Sequence, residues 1–336
     1  MHAFGFYQPL PITAPDALVE LDLPEPTLGD YDLLVEVKAI AVNPVDVKVR
    51  AGSTPPKGEA RVPGWDAAGI VLGTGARVSR FAVGDRVWYA GDIRRAGSYA
   101  ERQAVDERLV GPMPASLDFA EAAALPLTAI TAWELLFDRL KVQQRDPAAP
   151  GALLVIGAAG GVGSILLQLA RALTGLTLVA TASRDETRRW VRDQGAHAVI
   201  DHSQPWAPQL AQQGITDVSN VIGLNHTASY IPQIIEVLAP EGQLALIDDP
   251  QQFDIVPFKS KSISVHWELM FTRSLYHTAT QERQHALLRR VAWLVDQGVI
   301  RTTLTRRFDG ITLDNLRQAH TLLEQGATRG KIVLVR

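Results

Sequence analysis

Apolar and polar positions alternate along DLLVEVKAI, residues 32–40, so that Leu33, Val35, Val37 and Ala39 point one way. That two-residue period marks a strand with one buried face. Similar short runs, separated by glycine and proline, continue to about residue 125 and predict a β-rich domain. Beyond it the period changes. In GALLVIGAAGGVGSILLQLARALTGLTLVATASR, residues 151–184, an apolar strand passes through a glycine loop into a helix. Val162, Ile165, Leu166, Leu169 and Leu173 recur there at helical spacing, Gly175 stands where the helix stops, and another strand follows. This is a βαβ unit of a parallel sheet. Further strands are expected at AHAVID, VSNVIGL and GQLALID, with intervals long enough for helices. The run SISVHWELMF, 262–271, is rich in β-branched and aromatic residues and reads as that sheet's edge strand. The polar, proline-bearing stretch 141–150 reads as an exposed connection.

Composition narrows the picture. A chain of 336 residues favours two domains. Its 33 basic and 36 acidic residues are spread without long runs of one sign, which argues against a nucleic-acid partner. No stretch reaches the roughly 18 apolar residues of a membrane span, and the first twenty residues lack a basic start before a long apolar core. The expectation is a cytoplasmic protein. There are no cysteines, which excludes disulfides, a thiol nucleophile and every cysteine-containing zinc site.

The glycine loop carries the first chemistry. Gly157, Gly160 and Gly163 form G-x-x-G-x-x-G between a strand and a helix, with Gly161 and Val162 inside it. Bare backbone there lets a pyrophosphate come close, and the helix N-terminus offers unpaired N–H groups. The end of the next strand bears on which dinucleotide is bound. An NAD site commonly has Asp or Glu there to hold the ribose 2′-hydroxyl, whereas this chain has Ser183 and Arg184, with the first acid at Asp185. A hydroxyl and a guanidinium suit the 2′-phosphate of NADPH. The alternative is a solvated face on which Arg184, Arg188 and Arg189 pair with Asp185 and Glu186.

Together with GARVSRFAVGDRVW, AAALPLTAITAWELL and the closing GKIVLV, the segment VIGAAGGVGSILLQLA resembles the medium-chain dehydrogenase/reductase superfamily, in particular its quinone oxidoreductases and zinc-type alcohol dehydrogenase-like proteins. The resemblance runs nearly end to end. It implies an α/β protein in which a GroES-like β-barrel domain, 1–125 completed by 273–336, accompanies a doubly wound Rossmann domain, 126–272. It also implies NADPH as cofactor and, through the edge strand, a homodimer. In zinc-dependent members the segment similar to VPGWDAAG carries a His-Glu pair and the one similar to NPVDVKVRAG begins with a metal-ligating Cys. Here Trp65, Asp66 and Asn43 stand in those places, and the short YAGDIRRAGSYAER replaces the cysteine-rich lobe. A metal-free site follows as an expectation.

Without a metal to stabilise an alkoxide, reduction of an activated C=C or a quinone is the more feasible reaction. The oxyanion it forms needs a hydrogen bond or proton. Asn43 is the first candidate donor, the alternative being a turn residue before Pro44. Lys48, if partly desolvated, is the second, the alternative being a solvated strand residue. Asp46 reads as fixing the loop, Trp65 as an apolar wall and Asp66 as a hydrogen-bonded support. Thr128 resembles a junction threonine that lies along the cofactor, and Lys331 a position near its phosphate end. Asn225, just past a strand, is placed toward the nicotinamide, while His226, Asp248 and Asp249 are as readily loop residues. Two functions remain open: a zinc-independent NADPH reductase of quinones, enones or related carbonyl compounds, and an NADPH-binding sensor or structural protein with little turnover. A zinc alcohol dehydrogenase conflicts with the missing cysteines.

Overall fold

The computed structural model describes residues 1–142, 151–326 and 328–336, so most of the expected connection at 141–150 lies outside the described residues. The chain forms two compact units, one of residues 1–130 with 271–336 and the other of 131–270. In chain order the first unit has strands β1 (His2–Gly5), β2 (Val19–Asp22), β3 (Asp32–Val42), β4 (Ala67–Thr74), β5 (Arg86–Tyr89), β6 (Arg102–Asp106) and β7 (Val110–Pro112). The second has β8 (Ala152–Ile156), β9 (Thr177–Thr181), β10 (Ala198–Ile200), β11 (Val218–Gly223), β12 (Leu238–Leu246) and β13 (Ser264–Trp267). The chain then returns to the first unit for β14 (Leu304–Asp309) and β15 (Lys331–Val335).

The division falls a few residues from the expected boundaries of 125 and 273. Side-chain chemistry explains the shift. The Leu127 N–H donates to the Asp66 carboxylate and Thr303 donates to the Ala124 carbonyl, so the start of the helix Pro126–Trp133 goes with the first unit. At the other end Phe271 packs edge-on to Trp65.

In the first unit a seven-stranded sheet runs β14-β15-β3-β4-β5-β7, with β6 also paired to β3. Leu33, Val35, Val37 and Ala39 are all fully buried, as their alternation requires, and the first three join Phe4, Tyr89, Tyr99 and Leu334 in one apolar cluster. β15 pairs antiparallel with β3 so that Ile332 faces Val42. That register sets Lys331 beside the end of β3. There NPVDVKVRAG turns into the helix Pro44–Gly52 and not into a strand or open turn. Pro44 fits the first helical position, where its missing N–H costs nothing, and the Asp46 carboxylate accepts the Asn43 backbone N–H at 2.8 Å. The helical run Phe119–Arg139 is long and apolar enough to cross a membrane by length and composition, but 83% of its apolar window is buried inside the fold, as in a core helix.

In the second unit six parallel strands are ordered β10-β9-β8-β11-β12-β13. Chain order runs outward both ways from the β8/β11 pair, so the loops after β8 and β11 lie at the topological switch point where such sheets take ligands. The helix Gly161–Leu173 buries Ile165, Leu166 and Leu169 and ends at Thr174, one residue before Gly175. β13 is the sheet's edge, as the pattern of 262–271 predicts.

Candidate functional site

In the second unit the loop after β8 is the candidate nucleotide site. Gly157 closes the strand at φ +75°, a conformation open to glycine, and a Cβ there would overlap the Asn225 side chain. A Cβ on Gly163 would overlap the backbone of Ala158, so the first helical turn can lie close against the loop only with glycine there. Gly160 is the N-cap and offers no side-chain acceptor. The N–H groups of Gly161, Val162 and Gly163 therefore open onto whatever occupies the loop, an arrangement that fits a pyrophosphate. Ser183 and Arg184 are exposed just beyond β9, with no acid at the strand end. Arg184 stands in no ion pair among the described residues, unlike a solvated arginine paired to the acids that follow it. Arg188 turns back to the Ala182 carbonyl at 3.0 Å. Asn225 is exposed after β11, and His226 holds a left-handed turn at φ +51°. Asp248 fixes that turn by accepting the Thr227 N–H and hydroxyl at 2.7 and 2.8 Å.

The first unit, by itself, holds a buried polar cluster. Lys331, 3% exposed, donates to the Val42 carbonyl at 3.2 Å, to the Asn43 Oδ1 and to Asp66 Oδ2 at 3.1 Å. Its three N–H bonds are thereby spent. Asn43 directs its Nδ2 toward Asp66 Oδ2 at 3.1 Å, with longer contacts to the carbonyls of Ala41 and Trp65. Asp66 Oδ1 takes the Leu127 N–H at 2.9 Å. Burial pushes the Asp66 carboxyl up, opposed chiefly by the Lys331 charge. Beside this cluster a second chain of buried groups begins at Asp46, whose Oδ2 accepts from Tyr99 at 3.1 Å, and Tyr99 in turn meets His320 Nε2 at 3.0 Å. Arg50, fully buried, pairs with Glu324 on the helix that carries His320. Burial pushes Asp46 up to about 7 and His320 down to about 3, the Arg50 charge adding to the latter.

Several expected roles change with this geometry. Asn43, read as an oxyanion donor, is 1% exposed with its amide engaged by Asp66 and Lys331, so it braces the cluster. Lys331, read as a phosphate contact, has no donor left for one. Lys48 is exposed on the helix Pro44–Gly52, neither desolvated nor in a strand. Thr128, 2% exposed, donates to the Leu125 carbonyl at 3.0 Å. The buried chain through Tyr99 and His320 escaped the sequence reading. Its one local signal was the spacing Asn43-Pro44-x-Asp46, an N-terminal helix pattern.

Zinc does not fit these residues. Trp65 is fully buried and offers an indole N–H, donated to the Asp92 carbonyl at 3.2 Å, where a metal needs a lone pair. Asp66 and Asn43 already hold an ammonium. Among the described residues no three histidines and acids are grouped to hold a metal ion.

Residues 29–115 match the model of the alcohol dehydrogenase GroES-like domain, and residues 194–334 that of a zinc-binding dehydrogenase. The zinc-type alcohol dehydrogenase-like protein of Staphylococcus epidermidis is 35% identical over 99% of each chain. A solved structure from Rhizobium etli CFN 42, described as a candidate zinc-dependent alcohol dehydrogenase, is 52% identical with a TM-score of 0.97, covering 100% of this chain and 98% of that one. The NADPH-dependent alkenal/one oxidoreductase of Arabidopsis thaliana is 36% identical over 55% of this chain and 49% of its own.

Proposed function

We propose, from the premise that the chain belongs to the medium-chain dehydrogenase/reductase superfamily and to its zinc-type alcohol dehydrogenase-like proteins, that it is an NADPH-dependent, metal-independent reductase of quinones, enones or related activated carbonyl compounds. The Lys331 ammonium carries this reading: it is held by Asn43, which stands where zinc-dependent members have a metal-ligating Cys, and by Asp66, next to the Trp65 that stands where they have His. A cation fixed there removes the means of binding zinc, and with it the usual stabilisation of an alkoxide. The alkenal/one activity named for the Arabidopsis relative supports an electron-poor C=C as substrate.

NADPH bound at the β8 loop would supply the hydride. Gly157, Gly160 and Gly163 would admit its pyrophosphate, with the N–H groups of Gly161 and Val162 and the side chain of Asn225 nearby. Ser183 and Arg184 would take the 2′-phosphate, the guanidinium fork matching its oxygens. With Asn43 spent, the developing oxyanion would draw its proton from Lys48 or from water. That same observation favours a second reading, NADPH binding with little turnover.

One assay separates the readings. After exhaustive chelation, NADPH and NADH oxidation is followed with a quinone and an enone for wild type and Arg184→Ala. The expected result is turnover that survives chelation and a preference for NADPH that Arg184→Ala reduces about ten- to a hundredfold. Equal affinity for both cofactors in wild type removes the NADPH assignment, and loss of turnover on chelation removes metal independence. Tight NADPH binding without turnover selects the second reading.

A further inference from the structure

Arg61 is half-buried, and its backbone is fixed by a β-bridge to Phe6, with hydrogen bonds of 2.9 and 3.0 Å in the two directions. Its guanidinium lies 5.9 Å from the centroid of the Trp65 ring, next in sequence to Asp66. One N–H is spent, from Nη2 to the Ile93 carbonyl at 2.9 Å. Four N–H bonds remain, and among the described residues Arg61 stands in no ion pair. The neighbouring loop cannot neutralise it. Asp92 is held by Arg94 at 3.1 Å, and Arg95 closes a two-pronged pair with Asp32 at 2.7 Å on each arm. Burial alone lowers the basicity of Arg61, with no acid offsetting it. Arg50, Arg80, Arg102 and Arg108 each pair with a carboxylate, whereas Arg86, Arg317 and Arg336, like Arg61, donate to backbone carbonyls. A fixed, partly desolvated guanidinium with four unspent donors is a receptor for a planar anion.

We propose that Arg61 binds the carboxylate of an acidic substrate, so that the compounds reduced include enones bearing a carboxylate. This rests on the reductase reading and narrows its substrate class. The Trp65 ring and its edge-on partner Phe271, 6.2 Å away, hold the guanidinium against an apolar floor, where a charge-assisted pair gains strength from the reduced access of water.

The test compares acetylacrylate with its uncharged methyl ester, using wild type, Arg61→Gln and Arg61→Lys, with melting temperature and NADPH affinity as folding controls. The acid-to-ester ratio of kcat/KM is expected to fall about ten- to a hundredfold in Arg61→Gln, with the loss in KM. Arg61→Lys keeps the charge without the fork and should fall between. An unchanged ratio, whether both compounds decline or neither does, overturns the proposal. If Arg61→Gln does not fold, an unchanged ratio in Arg61→Lys overturns it equally. If neither compound is reduced by any form, the reductase reading has failed on its own, and calorimetry decides about Arg61: acetylacrylate binding to wild type and weakening about tenfold or more in the variant supports the subsite, and equal or absent binding overturns it.

Discussion

Lys331 brings a single positive charge to a place where the backbone of β3 ends and two polar side chains converge. Its strand position is fixed by antiparallel pairing with β3, and its ammonium makes a buried ion pair with Asp66. Removing one partner of such a pair leaves an uncompensated charge, which costs more than the pair itself contributes. Lys331→Met is therefore expected to lower stability by about 3–5 kcal/mol near neutral pH, read as a shift of the denaturation midpoint. Adding Asp66→Asn should recover part of the loss, because the stranded carboxylate is gone. Asn43→Ala is expected to cost less, about 1–3 kcal/mol, since it removes hydrogen bonds and leaves the charges facing each other. Equal stability of Lys331→Met and wild type would mean that Asp66 is already neutral in the fold.

The helix Pro44–Gly52 and the helix Leu313–Glu324 are joined through Tyr99, and this connection has a pH signature. Asp46 rises from 3.8 to about 7 on burial, so the fold holds its proton where the unfolded chain releases it, and stability falls as pH rises from about 4 to 7. His320 falls from 6.5 to about 3, so the unfolded chain binds the extra proton, and stability rises with pH from about 3 to 6.5. The two slopes oppose each other between about 4 and 6.5. Thermal unfolding across that range should show His320→Gln losing stability as pH rises and Asp46→Asn gaining it, with wild type flatter than either. Parallel pH profiles for all three proteins would show that neither group titrates differently in the folded and unfolded states.

At the scale of the molecule, the parallel sheet ends on β13, whose outer side has no strand partner among the described residues. Exposed apolar residues cluster along this part of the sequence, with Trp267 54% and Leu269 51% exposed and Ile255 and Val256 more so. An apolar sheet edge associates unless it is covered, and a two-fold pairing of β13 with its copy would continue the sheet. The protein is therefore expected to be a dimer by light scattering at micromolar concentration, and Trp267→Glu to shift it toward monomer. A wild-type monomer mass would refute this assembly.

Local periodicity by itself determined the strand character of 32–42, the glycine loop and its helix, and the presence of the strands that follow, because each depends on neighbours within a few residues. The same holds for the misfit to zinc at Trp65 and the absence of cysteine, which are matters of donor chemistry alone. The helix at Pro44 was misread because the pair Asn43-Pro44 suits a turn as well as a helix start; the Asp46 carboxylate, three residues on, decides between them. What only the tertiary structure decided is which polar groups meet. Asn43 and Lys331 lie 288 residues apart, and Tyr99 and His320 lie 221 apart. Whether a buried amide donates to a ligand or braces an ammonium depends on the partner that long-range strand pairing brings to it, and no local pattern encodes that partner.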